Sequence, residues 1–336
     1  EGYTVVNVVD LESYVKGVIP SEVPSSYGME ALKAQAVCAR SYAYIQMMHN
    51  KYEAYGAHVD DSVNFQVYNK QNQTPETVAA VDETKGQVLS YKGDIIETYY
   101  YSTSYGHTGD YEAWNLDKDA YGYLQGVWVR SEENSIDLSD EKSFLDYISN
   151  VDSACYESDL KYFRWNTVLD FQGKDETLLH TIADRKEHQP EAISYYKDAS
   201  KTEKTDSCSN FGSLQAIKVV KRNQSGVILE LELDFQNGAV SVQSEYNMRA
   251  ILGCGITNIN LLDGSSVEMS ILPSAYISIQ AKGDGTYAVL GGGYGHGIGM
   301  SQNGAQKLCG QGFDYKRILN YFYQDTELTE LYQPQN

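Results

Sequence analysis

The sequence predicts an α+β fold: a mixed β-sheet core with flanking helices, built as one elaborated domain with an acidic middle region inserted at about 130–209. Three observations carry it. "MEALKAQAVCARSYAYIQMMH" keeps an uninterrupted helical character, with Leu32, Ala36, Ala39 and Ala43 on a narrow face. "GQVLSYKGDII" reads as two strands around a Lys92-Gly93-Asp94 turn. Finally, "LQAIKVVKR", "GVILELELDF", "AVSVQ", "AYISIQ" and "YAVLGGG" follow one another as strands around one helix, "SEYNMRAIL".

Taken in order, "EGYTVVNVVD" alternates as a strand from its first residue, the look of a chain trimmed upstream, which leaves a preceding signal or anchor open. In "DLESYVKGVIP", Asp10 is placed as an N-cap, Leu11, Tyr14, Val15 and Val18 share a face, and Pro20 is the expected stop, beside Glu22. After a turn at Pro24 comes the long helix, expected over about Met29–His49, where Lys33 and Arg40 lie two turns apart on one side. "VNFQVYN" is expected as a strand, and Thr77 to Thr84 as a helix closed by Gly86. From about Arg130 to Ser209 the chain reads as helices and loops over the surface, with "FRWNTVLDF" its one clear strand. "DYKRILNYFY" closes as a helix with Ile318, Leu319 and Phe322 inward.

The 336 residues suffice for a sizeable core, as one large domain or two closely joined ones. With 26 Lys+Arg against 46 Asp+Glu the formal charge is −20, which excludes a phosphate-backbone partner because nucleic-acid binding rests on clustered cations. No apolar run is long enough for a membrane span. Twenty-nine tyrosines against eight phenylalanines suit wet, sugar-binding clefts or the amphipathic core of a polar protein. The five cysteines, Cys38, Cys155, Cys208, Cys254 and Cys309, show no zinc spacing, so no metal or cofactor is expected. Outside the cell, Cys155 with Cys208 or Cys254 with Cys309 could pair.

Three stretches carry candidate chemistry. Glu22 stands between Ile19, Pro20, Val23 and Pro24, apolar neighbours that would desolvate a carboxylate and raise its pKa, as a general acid requires; a structural glutamate beside prolines reads the same way. "STSYGHTGD" leaves a strand end as a polar loop able to meet sugar hydroxyls, or as a plain solvated turn. "GGGYGHGIGMSQNGAQ" concentrates glycine around one imidazole, which suits a groove wall or a tight buried turn. No nucleophile elbow and no Cys/His pairing support covalent acyl chemistry.

Together, "LESYVKGVIPSEVPSSYGMEALKAQAVCARSYA", "QVYN", "AVDETKGQVLSYKGDIIETYYYSTSYGHTGDYEAW" and "GGGYGHGIGMSQNGAQKLCGQGFDYKRILNYFY" resemble the stage II sporulation protein D / amidase enhancer (SpoIID/LytB) family over nearly the whole of 1–336, most closely at the two ends. The resemblance implies a catalytic domain that acts as a peptidoglycan lytic transglycosylase, cleaving the MurNAc-GlcNAc bond of peptide-stripped strands to leave anhydromuramyl ends. It implies Glu22 in "VIPSEVP" as the single general acid/base and Lys33 and Arg40 as basic substrate-binding positions. It also implies a groove lined by Ser102, Thr103, Ser104, Tyr105, Gly106, His107 and Thr108 and by Tyr294, His296, Gly297, Met300, Ser301 and Gln302. Partners would be peptidoglycan glycan strands and a cell-wall amidase; the alternative is a non-catalytic wall protein that enhances an N-acetylmuramoyl-L-alanine amidase. The place implied is the cell wall or the outer face of the cytoplasmic membrane of a Gram-positive-type bacterium, anchored through a segment outside this sequence. The family's Gly-Gly pair is Tyr105-Gly106 here, its following Glu is replaced at Gly109-Asp110, and no cysteine adjoins His107 in sequence, where a clostridial type binds zinc. Valine at Gly297 or Gly299 is expected to lower activity more than stability.

Overall fold

A computed structural model describes residues 5–61, 65–68, 72–132 and 135–332. The α+β class holds, with helices and antiparallel sheets in two compact units, one of residues 1–100 with 299–336 and one of 101–298.

The first unit is built on helices. Helix α1 (Leu11–Glu22) starts where Asp10 accepts the Ser13 N–H at 3.0 Å, which satisfies one of the free donors at a helix start. Pro20 does not stop the helix. It sits in the last turn, where its missing N–H removes a single backbone bond, and the Ser21 hydroxyl adds one to the Gly17 carbonyl at 3.1 Å. Helix α2 (Met29–His49) ends at Asn50 in the left-handed conformation. Helix α3 (Pro75–Glu83) opens with a Thr74/Thr77 capping box. Val15, Val18 and Ile19 of α1, Leu32, Ala36 and Ala39 of α2, and Ala80 and Val81 of α3 form one cluster; the alanines of α2 let its neighbours approach closely.

Strand β1 (Gln87–Tyr91) pairs with β2 (Asp94–Ile95) through Lys92 and Gly93, both at positive φ, as the hairpin signal predicted. Its other edge carries Glu327–Glu330, a strand the sequence reading missed. The expected strand at the start is absent over 5–10, where Val5 and Val8 are exposed and no strand lies alongside to take their hydrogen bonds; Glu1–Thr4 lie outside the described residues. Gln66–Tyr68 are likewise not a strand, and Val63, Asn64 and Asn69 of that prediction lie outside the described residues.

The second unit holds two five-stranded sheets with antiparallel ladders. One runs in the order Ser266–Val267, Ile259–Leu261, Trp165–Asp170, Thr286–Gly291, Ile277–Ala281. The other runs Lys204–Thr205, Ile193–Tyr196, Gly238–Val242, Ile228–Phe235, Leu214–Arg222. Both contribute to one core with the helices Asp175–His188 and Glu245–Gly253. Residues 130–209 are thus woven into the sheets: they supply the middle strand of the first and two strands of the second, where one strand was expected. The five cysteines are free thiols, and no helix among the described residues is long and apolar enough to cross a membrane.

Arg40 is fully buried in α2 and serves the first unit as a clamp. Its guanidinium donates to Glu12 of α1 at 2.8 and 3.0 Å, to the Val81 carbonyl of α3 at 3.2 Å and to the Gln87 carbonyl of β1 at 3.1 Å. Glu12 also accepts the Gly86 N–H at 3.1 Å. Arg40→Leu would leave the Glu12 carboxylate without its cation and remove the guanidinium's bonds to both carbonyls, and is expected to lower unfolding free energy in urea by about 3–5 kcal/mol. A loss below about 1 kcal/mol would show that the clamp is not structural.

Candidate active site

Glu22 is the last residue of α1, and its carboxylate is held from three sides within the first unit. Oε1 accepts the Val67 N–H at 2.8 Å, Oε2 accepts a long 3.4 Å contact from the Gln302 amide, and the Tyr100 phenol hydrogen-bonds to the same carboxylate. Burial raises its pKa above the ordinary 4.5, against the opposing pull of those three hydrogen bonds. No cation among the described residues contributes to the shift.

Aromatic rings supply the low-dielectric surroundings. Tyr14 and Tyr68 stack at 5.6 Å with 3° between planes, and Tyr68 occupies the space that a side chain at Gly17 would need. Burial keeps the Tyr14 and Tyr100 phenols protonated, with the Glu22 charge adding to the effect. Gln66, also buried, donates its amide to the Tyr100 hydroxyl at 3.0 Å and to the Ala39 carbonyl at 3.2 Å. Among the described residues the Gln66 Oε1 and the Tyr14 hydroxyl are buried without a hydrogen-bond partner. The sequence reading missed Tyr14, Gln66 and Tyr100 as site residues; their only sequence signal was the high tyrosine count and the "QVYN" segment.

The basic positions lie elsewhere in the unit's economy of charge. Lys33 is held by Glu83 at 2.7 Å and Glu30 at 3.0 Å, with its pKa raised chiefly by Glu83. Arg40 is enclosed by the clamp described above, so a direct contact between its side chain and a bound ligand does not fit the structure. Met300 and Ser301 are buried as well. Ser301 caps the helix Gln302–Gly310 by accepting the Gly304 N–H at 3.1 Å, and Asn303 accepts the Tyr27 hydroxyl at 2.6 Å. The sequence reading, a groove wall or a tight turn, did not show this helix, because two glycines and a polar cap mask its period.

In the second unit the polar loop and the glycine run form a backbone ladder. Thr103 and Tyr294 exchange N–H···O bonds of 3.1 and 2.8 Å, and the Gly109 N–H donates to the Gly297 carbonyl at 2.6 Å. Thr103, Ser104, Tyr105, His107 and Thr108 are consequently buried, which corrects their expected place on an open groove wall. Ser104 hydrogen-bonds to the buried Glu157 through both N–H and hydroxyl, Gly106 lies at φ 109° beneath the Tyr147 hydroxyl, and Tyr105 stacks on Tyr276 at 4.5 Å. His107 has Nδ1 2.6 Å from the Thr108 carbonyl, and burial lowers its pKa to about 4, leaving it neutral at pH 7. Ser102, Tyr294 and His296 keep partial exposure; Tyr294 stacks on Tyr162 at 4.4 Å, and His296 lies 5.5 Å from Tyr101 and 5.1 Å from Trp114. Among the described residues no group of three or more His, Cys, Asp or Glu could hold a metal ion.

The glycines answer to close packing. Gly297 has φ 82°, and a Cβ there would fall 2.2 Å from the Tyr276 ring; a Cβ at Gly299, φ 77°, would fall 2.1 Å from the Tyr99 carbonyl. Valine at either position therefore strikes the fold first, contrary to the expectation of a mainly functional loss.

An α+β protein with one desolvated carboxylate at a helix end is the class these features define. Residues 1–91 match the SpoIID family model, described as Stage II sporulation protein. Residues 185–299 match a second model, a domain of unknown function (DUF8618). The chain is 29% identical to the Amidase enhancer of Bacillus subtilis (strain 168) over 94% of its own length, and spans 40% of that relative's length. It is 26% identical to the Stage II sporulation protein D of the same organism, over 96% of this chain and 75% of the relative. An uncharacterized protein of Brachyspira hyodysenteriae is 27% identical over 97% of this chain and 68% of its own length. The chain is thus a relative of the stage II sporulation protein D and amidase enhancer proteins, as its motifs indicated.

Two outcomes follow. Gly297→Ala should lower unfolding free energy by about 3 kcal/mol through positive-φ strain and overpacking, whereas Gly264→Ala, with open space around it, should cost about 1 kcal/mol; equal losses in urea unfolding would contradict the close-packing account. A carboxyl whose folded pKa lies above its unfolded one binds more protons in the folded state, so Glu22 withdraws stability as pH rises through the interval above 4.5. Glu22→Gln, which keeps an acceptor for Val67, should raise the thermal midpoint at pH 7 and change it little at pH 3.5.

Proposed function

We propose that this chain is a peptidoglycan lytic transglycosylase that cleaves the MurNAc-GlcNAc bond of peptide-stripped glycan strands, with Glu22 as its single general acid/base. The observation that supports this most is the raised pKa of Glu22, produced by burial with no neighbouring cation among the described residues to reverse it. A general acid near neutral pH must hold its proton until the transition state, and desolvation is the means available here.

Glu22 donates its proton to the glycosidic oxygen as the C1–O bond breaks, so the GlcNAc leaves with a hydroxyl. The C6 hydroxyl of the same MurNAc attacks C1, forms the 1,6-anhydro bond, and gives its proton to the Glu22 carboxylate. The acid is regenerated and no water is consumed. A second carboxylate, which most glycosidases need for water or for a covalent intermediate, has no task in this sequence of steps. The Val67 N–H and the Tyr100 hydroxyl act on the carboxylate form, stabilising it in the middle of the cycle. Gln302 orients the carboxyl rather than meeting sugar, and Lys33 remains with Glu30 and Glu83. In the second unit the partly exposed Ser102, Tyr294 and His296 are the groups of the motif assigned to glycan contact.

The name Amidase enhancer, carried by one relative, supports an amidase as a partner; a place of action in the wall or at the outer face of the membrane follows from the proposed substrate. Incubation of peptide-free glycan strands with wild-type protein should yield anhydromuramyl-ended fragments by mass spectrometry, and Glu22→Gln should lower the yield at least 100-fold. Reducing-end fragments would make the protein a hydrolase. No fragments from the wild type would leave the amidase-enhancing role.

A further inference from the structure

A cavity of about 960 Å³ in the second unit is used neither by the proposed chemistry nor by the residues assigned to glycan contact. Its walls include Trp114 and Asn115 on one side and Gln189, Gln243, Ser244 and Tyr246 on the other. Several of these groups are fixed in advance. Asn247, fully buried, donates its amide to the Gln189 Oε1 at 2.7 Å and to the Gln243 carbonyl at 3.2 Å, and accepts from Arg185 at 2.9 Å. Arg185 in turn covers one face of the Tyr246 ring at 4.9 Å, so one buried side chain braces an aromatic ring, the Gln189 side chain and the Gln243 backbone together. The opposite wall is pinned by Asp110, which accepts from Asn223 at 2.9 Å and Ser225 at 2.7 Å just before the turn Tyr111–Trp114.

Ser244 marks the site as more than a surface depression. It stands at φ 69°, ψ 129°, a conformation that non-glycine residues rarely adopt, and its hydroxyl makes no capping bond to the helix it precedes. Such strain persists where the surrounding structure holds it, and gathers at ligand clamps.

The lining selects the ligand by exclusion. Glu230 is paired with Lys201, while Glu112, Asp117 and Glu191 stand against Lys118 and Lys221. A wall with this small excess of carboxylates does not favour phosphates. Its apolar part is only Ala113, Leu116, Ala192 and Leu229, too little for an acyl chain. Aromatic faces with preset amides suit a ligand that has apolar C–H faces and a rim of hydroxyl and acetamido groups.

We propose that this cavity is an oligosaccharide-binding site for β-linked N-acetylhexosamines, stacking sugar on Tyr246 and Trp114 and hydrogen-bonding it through Gln189, Gln243 and Ser244. The N-acetylated class rests on the proposed action on peptidoglycan; the saccharide itself rests on the lining. Trp114 also touches His296, so the cavity adjoins the glycine-rich motif of the same unit.

The test is calorimetric titration of the N-acetylglucosamine tetramer into the intact chain and its variants. Tyr246→Ala and Gln243→Ala are each expected to weaken binding at least tenfold with an unchanged thermal midpoint, whereas Tyr246→Phe, which keeps the ring, binds within about twofold of wild type. Binding indifferent to both alanine variants overturns the proposal, as does an absence of binding to the wild type. Tetralysine that binds in a Tyr246-dependent manner while the tetramer does not would reassign the cavity to a peptide and overturn it too. If the tetramer binds through Tyr246 but no glycan is cleaved, the catalytic proposal fails and this site stands; cleavage without Tyr246-dependent binding gives the converse.

Discussion

One buried guanidinium organises the first unit. Arg40 meets Glu12, the end of α3 and the start of β1, and thereby fixes the first turn of α1 against three other elements. The ion pair draws little net stability from its own attraction, because both charges lost their water to form it. Its consequence is registry. An uncompensated charge in the same position is so costly that α1 can sit in only one place, and Glu22, ten residues further along a rigid helix, is placed with it.

At that far end the balance of forces reverses. Glu12 has an arginine; Glu22 has neutral donors and aromatic rings. Two glutamates of one helix therefore sit in opposite surroundings, one paired with a guanidinium, the other eased toward its neutral acid by burial. Lys33, which could have depressed the acid from the adjoining helix, is occupied by two carboxylates of its own. Hydrogen bonds from Val67, Gln302 and Tyr100 pull the other way and favour the ionised form.

Steric economy plays the corresponding part in the second unit. The ladder between the 102–109 loop and the glycine run brings backbone against backbone and an aromatic ring against Gly297, distances that a Cβ would forbid. The polar side chains of the loop are drawn inside, where Glu157, Val127 and Ser225 satisfy Ser104, Thr108 and Tyr105. The motif's glycine and hydroxyl content thus reports packing, while His296 and Tyr294 remain as its accessible part.

Much of this was legible in the sequence where the signal is local. The Asp10 cap, the span of α2, the Lys92-Gly93 hairpin and the long strands follow from capping, helical period and positive-φ turns, each decided within a few residues. Glu22 was visible because its apolar neighbours are its sequence neighbours. The rest depended on partners far along the chain. Val5–Asp10 has a strand's alternation and no sheet to join; Glu327–Glu330 has little pattern and pairs with β1 across more than two hundred residues. Arg40 and Lys33 share a helix face, yet only Glu12, Glu30 and Glu83 decide that one is a buried clamp and the other a half-covered ion pair. The sequence alone determined the elements whose signal is local and marked Glu22 as a carboxylate among apolar neighbours, because backbone preference and near neighbours act over a turn or two. Burial, and with it the acidity of Glu22 and the role of each cation, was decided by tertiary structure, because desolvation is a property of everything that surrounds a charge.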